Sequence, residues 1–241
     1  MAPFGASRAG LMSVAEDDIP DSIVDNFEDA DADPPGPYGD GDDLSDYYNG
    51  SLTAFNRSTD TVAVGNHACS VEPPDEGDHG ILSQPDDGLP RYPEQEDTVK
   101  CLVRADGGDQ IGLLFNGGFD SGDDTIDCYL GEIYPVQNEI TIYRYLDAPP
   151  DSMGADGDRI QVSSSSVSLS SETWYWLEVD MVDDSGNVEA RVYDYNEDDN
   201  TRGSQLGSTS GENTDISVSN VGVGPQSRNS TQGWVDEIEI V

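Results

Sequence analysis

The sequence predicts an all-β protein folded as a two-sheet sandwich, and three observations carry that expectation. Short runs of alternating apolar and polar residues recur along the chain. Turn signals rich in Gly, Asp, Asn and Pro separate these runs at short, regular intervals, and no stretch keeps a helical period. The 241 residues suffice for one large sandwich with a sizeable core.

Residues 1–22, rich in Ala, Gly, Ser and Pro and without a strand period, read as an N-terminal arm, and residues 23–241 as the sandwich. A first strand is expected over Ile23–Glu28, then an acidic Pro/Gly loop through Asp46. Ser51–Phe55, Thr61–Val64 and Ala68–Val71 follow as short strands, and Glu72–Gln95 as a second long loop. Val99, Cys101 and Val103 alternate with Lys100, Leu102 and Arg104, the pattern of a half-buried strand. Turn residues 105–109 lead into Gln110–Phe115 as a hairpin. Thr125–Ile133 and Glu139–Leu146 form another pair, with Ile126, Cys128 and Leu130 on one face. Asp147–Asp158 reads as loop, and Arg159–Val162 and Ser166–Leu169 as short strands. The clearest hairpin joins Thr173–Val182 to Asn187–Tyr195 through Asp183-Asp184-Ser185-Gly186. Its core faces are Tyr175, Leu177, Val179 and Met181 against Val188, Ala190 and Val192. Asn196–Gly211 is expected as loop, Ser217–Gly224 as a strand and Trp234–Val241 as the last strand.

Charge narrows the chemistry. Fifty Asp and Glu stand against ten Lys and Arg, and Lys100 is the one lysine, for a net charge of −40. Such a chain repels itself at ordinary ionic strength, whereas at molar salt the Debye length falls to roughly 3 Å and most of the repulsion disappears. The composition therefore predicts adaptation to a salt-saturated environment. The 34% of hydrophobic residues and their clean alternation argue against a disordered chain. Ten dilute positive residues exclude a phosphate-neutralising nucleic-acid surface. No apolar run is long enough to span a membrane, and the first twelve residues lack the apolar core of a secretory signal. Cys69, Cys101 and Cys128 are expected as buried thiols, with one disulfide as the alternative.

The segments Trp174-Tyr175-Trp176-Leu177-Glu178-Val179-Asp180 and Val188-Glu189-Ala190-Arg191-Val192-Tyr193-Asp194 resemble the central hairpin of concanavalin-A-like lectin/glucanase domains. So do the opening Asp25-Asn26-Phe27-Glu28-Asp29 and the closing Trp234-Val235-Asp236-Glu237-Ile238-Glu239-Ile240, whose strands pair in that superfamily. The resemblance implies a concanavalin-A-like jelly-roll β-sandwich. It is unspecific for activity, because the superfamily holds lectins, glycosidases, laminin-G-like modules and viral fibre domains.

Several constellations could carry chemistry. Retaining glucanases of the superfamily use Glu-x-Asp-x-Glu or Glu-x-Asp-x-x-Glu, and Glu178 and Asp180 match its first two places. The third place is Val182 or Asp183, and Asp183 opens a tight turn where acids are common for backbone reasons. No catalytic residue is therefore assigned; an ion pair of Arg191 with Glu178 or Asp180 is the competing expectation. Trp176, Tyr193 and Tyr195, with Glu178, Asp180 and Arg191 beside them, are a candidate sugar platform, since aromatic rings stack on sugar C–H faces. The alternative is that a loop covers these rings. Resemblance further implies a structural calcium near Glu28 and Asp236, at the junction of the first and last strands. His67 and His79 are expected as polar loop or strand-end residues, and the sequons at Asn49, Asn56 and Asn229 matter only on a secretory route.

The combined expectation is a non-enzymatic virion surface protein of a haloarchaeal virus: a capsid turret, decoration protein or tail fibre. It would be assembled in the host cytoplasm as a homo-oligomer, docked to other virion proteins through residues 1–22, and would bind host surface glycan. A haloarchaeal glycoside hydrolase or lyase, or a laminin-G-like adhesion module, are the alternatives.

Overall fold

In the computed structural model of the chain the residues described are 22–30, 32, 36–39, 42–72, 78–85, 87–106, 110–153, 159–228 and 232–241. The expected arm, apart from Ser22, lies outside them. The strands are β1 (Ile23–Asp25), β2 (Asn49–Gly50), β3 (Phe55–Ser58), β4 (Ala68–Val71), β5 (Asp78–Leu82), β6 (Thr98–Ala105), β7 (Ile111–Asp120) and β8 (Thr125–Tyr134). They continue as β9 (Glu139–Ala148), β10 (Arg159–Ser166), β11 (Tyr175–Asp180), β12 (Asn187–Asn196), β13 (Thr201–Glu212), β14 (Gly222–Arg228) and β15 (Gly233–Ile240). One sheet of eight strands runs β13-β12-β11-β6-β15-β4-β3, with β1 also paired to β15. The other, of seven, runs β10-β9-β8-β7-β14-β5-β2. Every pairing is antiparallel, and the first and last strands meet at Ile23 with Glu239 and Asp25 with Ile238. This is the expected concanavalin-A-like jelly roll.

Side-chain alternation sorts the residues. Val99, Cys101 and Val103 of β6, Leu177 and Val179 of β11, and Val188, Ala190 and Val192 of β12 point inward. They meet Ile111, Leu113 and Phe115 of β7, Tyr129 and Ile133 of β8, and Ile140 and Ile142 of β9. The β11–β12 hairpin takes one of the two registers left open, Leu177 facing Val192 and Glu178, not Asp180, facing Arg191. Its turn closes with the Gly186 N–H donating to the Asp183 carbonyl at 2.9 Å, and Gly186 takes the positive φ of +77° that a side chain would oppose. The three cysteines are free and buried, and burial pushes their thiol pKa values up.

Neither sheet leaves its outer face bare. On the eight-stranded sheet, Ala68, Leu102, Trp174, Trp176 and Trp234 form a second cluster that packs with Val62, Ala63 and Val64. On the seven-stranded sheet, Leu82, Leu114, Ile126, Cys128, Leu130, Tyr145, Ala148 and Met153 form a third.

Several segments depart from the expected elements: Ser166–Leu169 lies outside the strands after Ser166, Ser217–Gly224 is strand only from Gly222, and the first strand ends at Asp25. Thr61–Val64 lies outside the strands and serves as cover for the tryptophans. Leu52–Ala54 is a 3-10 turn. β5 lies within the expected loop Glu72–Gln95, and β13 occupies the expected loop Asn196–Gly211. β13 is an edge strand whose residues are mostly exposed, Thr209 alone being buried, so burial imposes no two-residue apolar rhythm on its Ser/Gly-rich sequence. Among the described residues no helix is long and apolar enough to cross a membrane.

Candidate functional site

The residues that the sequence singles out on β11 and β12 do share the outer face of the eight-stranded sheet, but the expected open platform is covered. Trp176 is 1% exposed. The segment 62–67 is fastened over it by carboxylates: Asp236 Oδ2 accepts the N–H groups of Ala63 and Val64 at 3.1 and 3.0 Å. Glu28 Oε1 accepts those of Asn66 and, at 2.7 Å, His67. The Tyr195 hydroxyl donates to the Ala63 carbonyl at 3.1 Å, and the Arg202 guanidinium lies 4.5 Å from the centre of the Tyr193 ring. Lys100 Nζ sits 4.2 Å above the Trp176 ring. Apolar indole surface is thus removed from water by the chain itself, and the tryptophan is core.

Glu28 and Asp236, the expected calcium ligands, are the anchors of this cover. Their lone pairs receive N–H donors, which compete with a cation for the same positions. Among the described residues no group of three His, Cys, Asp or Glu side chains is placed to hold a metal ion.

Glu178, Asp180 and Arg191 come together as a cross-strand ion network. Arg191 holds both Asp180 oxygens, at 2.8 and 2.5 Å, and lies 3.3 Å from Glu189 and 3.6 Å from Glu178. Arg202 is a second partner of Glu178. Asp180 and Arg191 line a cleft of about 860 Å³ together with Glu96, Asn187, Glu189 and Glu212. Asp183 is spent on the turn, accepting from the N–H groups of Ser185 and Asn187 at 2.8 and 3.0 Å.

A different set of polar residues stands on the outer face of the seven-stranded sheet, and the sequence reading missed it. Ile126, Cys128 and Leu130 share one face of β8, and the same two-residue period puts Glu132 on that face as its fourth member. Gly131, next to it, faces inward against Val179 and Ala190. Across the sheet the row reads Gln226, Gly112, Glu132, Thr141, each paired with the next. A Cβ at Gly112 would lie 2.1 Å from the Gly131 carbonyl oxygen and 2.8 Å from the Glu132 Cα and Cβ, so β7 passes this point of β8 only with glycine.

Glu132 is fully buried, yet neither of its oxygens has a hydrogen-bond partner among the described residues. Arg159 Nη2 is 3.5 Å from Glu132 Oε1 and its Nη1 is 3.6 Å from Asp78 Oδ2. Arg159 Nε and Nη2 also lack partners, as does Gln226 Oε1. Asp78, in contrast, is well held: Arg228 Nε reaches it at 2.8 Å and the Tyr145 hydroxyl donates to it at 3.1 Å. The Arg159 guanidinium lies 3.5 Å from the centre of the Tyr143 ring, which fixes its plane. Burial raises the Glu132 pKa to about 8, against the pull of Arg159, and raises that of Asp78 against Arg228 and Arg159. Solvent reaches the cluster at the Arg228 side chain, 30% exposed, and less at Arg159, 11% exposed.

No protein-family model and no curated protein matches the chain. Among solved structures it is similar to the carbohydrate-binding module CBM66 from Bacillus subtilis, with 10% identity over 76% of this chain and 89% of that one, at a TM-score of 0.48. A protein of unknown function with a galectin-like fold, also from Bacillus subtilis, gives 10% identity over 80% and 87%, at 0.48. A GH16 protein of the mixed-linkage glucan locus of Bacteroides ovatus gives 8% over 82% and 90%, at 0.44. These likenesses are loose and transfer no residue role; the fold and the site rest on the chain's own geometry.

Buried polar groups are as a rule hydrogen-bonded, and leaving one unpaired costs about 1–3 kcal/mol, more when it is charged. Here two acceptor oxygens of Glu132 and one of Gln226, on one row of the sheet, and two donor nitrogens of Arg159, which reaches that row from the end of β10, lack hydrogen-bond partners among the described residues. A hydroxyl both donates and accepts, so adjacent hydroxyls can give their protons to Glu132 and Gln226 while taking those of Arg159.

Proposed function

We propose that the chain is a carbohydrate-binding module whose site is the Glu132–Arg159–Gln226 cluster on the outer face of the seven-stranded sheet. What supports this reading is a cluster of buried acceptors on Glu132 and Gln226 and buried donors on Arg159 that make no hydrogen bond among the described residues. Tyr143 adds an aromatic wall, and Asp78, itself held by Arg228, braces Arg159. A few placed polar groups against an apolar wall is the general make-up of small-molecule sites. Titration calorimetry of the protein in concentrated KCl against a panel of neutral sugars tests it. Glu132→Gln and Arg159→Met should each weaken binding by tenfold or more, about 1.4 kcal/mol, while Asp180→Asn in the opposite cleft leaves it unchanged. Absence of binding to every neutral sugar, or binding indifferent to both changes, would remove the reading.

One observation favours a glycan-cleaving alternative. Glu132 holds its proton to about pH 8, and a second carboxyl, Asp78, lies across the same guanidinium. Glycoside hydrolysis uses such a pair, an acid with a raised pKa and a carboxylate. Release of reducing ends from a polysaccharide by the wild type, abolished in Glu132→Gln, would establish that chemistry. A place on a virion surface rests on composition and on residues 1–22; incorporation of the chain into particles with and without those residues tests it.

A further inference from the structure

Fifty Asp and Glu stand against ten Lys and Arg, five to one, and the cations of the described residues use those acids at short range. Arg57, Lys100, Arg104, Arg144, Arg191 and Arg228 each have a carboxylate oxygen between 2.5 and 3.0 Å away, and Arg202 is bound to Glu178. Arg159 differs from all of these. Its nearest carboxylate oxygens among the described residues are Glu132 Oε1 at 3.5 Å and Asp78 Oδ2 at 3.6 Å. The second of them already accepts the Tyr145 hydroxyl at 3.1 Å. The Arg159 side chain is mostly buried, and its Nε and Nη2 make no hydrogen bond among the described residues. A guanidinium taken out of water without an anion at hydrogen-bond distance is destabilising.

Nε and Nη2 lie on one edge of the guanidinium plane, and their parallel N–H groups match the two oxygens of a carboxylate. The Tyr143 ring holds that plane. The groups around the edge leave it open to an anion. Burial raises the Glu132 pKa to about 8 against the pull of Arg159 and Arg228, while Asp78 and Glu139 push it the same way as burial. Below pH 8 Glu132 is therefore a neutral donor beside Arg159 and not a rival for it. Asp78 is held at 2.8 Å by Arg228, whose Nη1 also reaches Gln110 Oε1 at 3.0 Å. His79, next to Asp78, is bonded to Ser51. Burial raises the pKa of Tyr143 and Tyr145, which keeps both neutral.

Given a carbohydrate site at this cluster, we propose that its preferred ligand is a uronic acid, a sugar whose carboxylate docks on the Nε–Nη2 edge of Arg159. A ring hydroxyl beside that carboxylate can donate to Gln226 Oε1, an unpaired acceptor of the same cluster. The net charge of −40 disfavours every anion at long range, and concentrated salt screens that effect. A preference for an acidic over a neutral sugar therefore arises only at short range, from the site itself. A sulfate ester fits less well. It is tetrahedral, and its third terminal oxygen adds an acceptor where acceptors are already unmet.

Titration calorimetry in concentrated KCl, with methyl glucoside against methyl glucuronide and the galacto and manno pairs likewise, reads the preference. At about pH 6.5 the uronide of at least one pair should bind about tenfold or more tightly than its neutral partner, which binds through its hydroxyls alone. At about pH 9 the two should bind alike, because ionised Glu132 then takes Arg159 for itself. Glu132→Gln, weaker for both ligands, should keep the preference at both pH values. Arg159→Met, checked for a wild-type dichroism spectrum, should lose it at both. Equal binding of acidic and neutral partners by the wild type at about pH 6.5 would overturn the proposal and leave the carbohydrate reading standing. No binding of either kind would remove both. A preference that survives in Arg159→Met, or glucose 6-sulfate bound more tightly than the glucuronide, would also overturn it.

Discussion

Glu132 and Trp176 show at the scale of single residues how the same alternation serves two ends. Both stand on outer faces of the sheets, both are buried, and both hold polar atoms without a hydrogen-bond partner among the described residues, Nε1 of Trp176 and the two oxygens of Glu132, but the indole is mostly apolar surface covered by chain whereas the carboxyl is polar throughout. Trp176→Ala should cost about 3–5 kcal/mol, the range for a buried aromatic, read as a lower denaturation midpoint; an unchanged midpoint would mean that the segment 62–67 does not cover the ring. For Glu132 the sign follows from its pKa, raised from 4.5 to about 8 by burial. Between those values the unfolded chain gives up a proton that the folded protein keeps. Stability on this account is undiminished below the unfolded pKa and falls as pH rises toward 8, by at most about 1.4 kcal/mol per pH unit. Glu132→Gln should flatten that slope. Equal slopes for variant and wild type in denaturation series from about pH 5 to about pH 8 would refute the assignment.

At the scale of elements, the cover over the tryptophan face is held by two carboxylates from the paired first and last strands. Asp236 is buried, and burial pushes its pKa up to about 8 although three backbone N–H groups, of Ala63, Val64 and Glu237, pull it back. Asp236→Asn would turn one accepting oxygen into an NH₂ group facing a donor. We expect a loss of about 1–3 kcal/mol and faster amide hydrogen exchange at Ala63 and Val64; exchange as slow as in the wild type would show that Asp236 is not the latch. Much of this level was legible beforehand. The β11–β12 hairpin and its inward faces follow from alternation, because a slip of one residue would invert them; a slip of two would not, so alternation left Arg191 opposite either Glu178 or Asp180. The pairing of the first and last strands, Ile23 with Glu239 and Asp25 with Ile238, follows the expectation drawn from resemblance. What alternation could not show is what lies over an outer face, since a covered aromatic and an exposed one have the same period. β13 was illegible for the complementary reason: an edge strand exposed on both faces has no apolar rhythm to read. Glu132 was legible in principle, as the charged fourth member of an apolar face, but in a chain one-fifth acidic a single glutamate draws no notice.

At the scale of the whole molecule, charge and fold are in tension and salt decides the balance. The compact state gathers a net charge of −40 onto a surface of 10845 Å², while the unfolded chain spreads the same charges apart. The ion pairs that oppose this are few, because ten Lys and Arg serve fifty acids and several of them, Arg191, Arg202, Arg159 and Arg228, are already bound to buried or half-buried carboxylates. Removing salt lengthens the Debye length from roughly 3 Å at 1 M to roughly 10 Å at 0.1 M, so charges on neighbouring strands, and then across the whole face, begin to repel. Dilution of KCl over that range should therefore lower the melting temperature steeply and end in unfolding. The loss should be smaller at about pH 5 than at about pH 8, because Glu132, Asp236 and Glu237, raised to about 8, 8 and 9 by burial, keep their protons in the folded protein there. A sheet spectrum and melting temperature that hold across the dilution at both pH values would show that the acidic surface is not what ties this fold to salt.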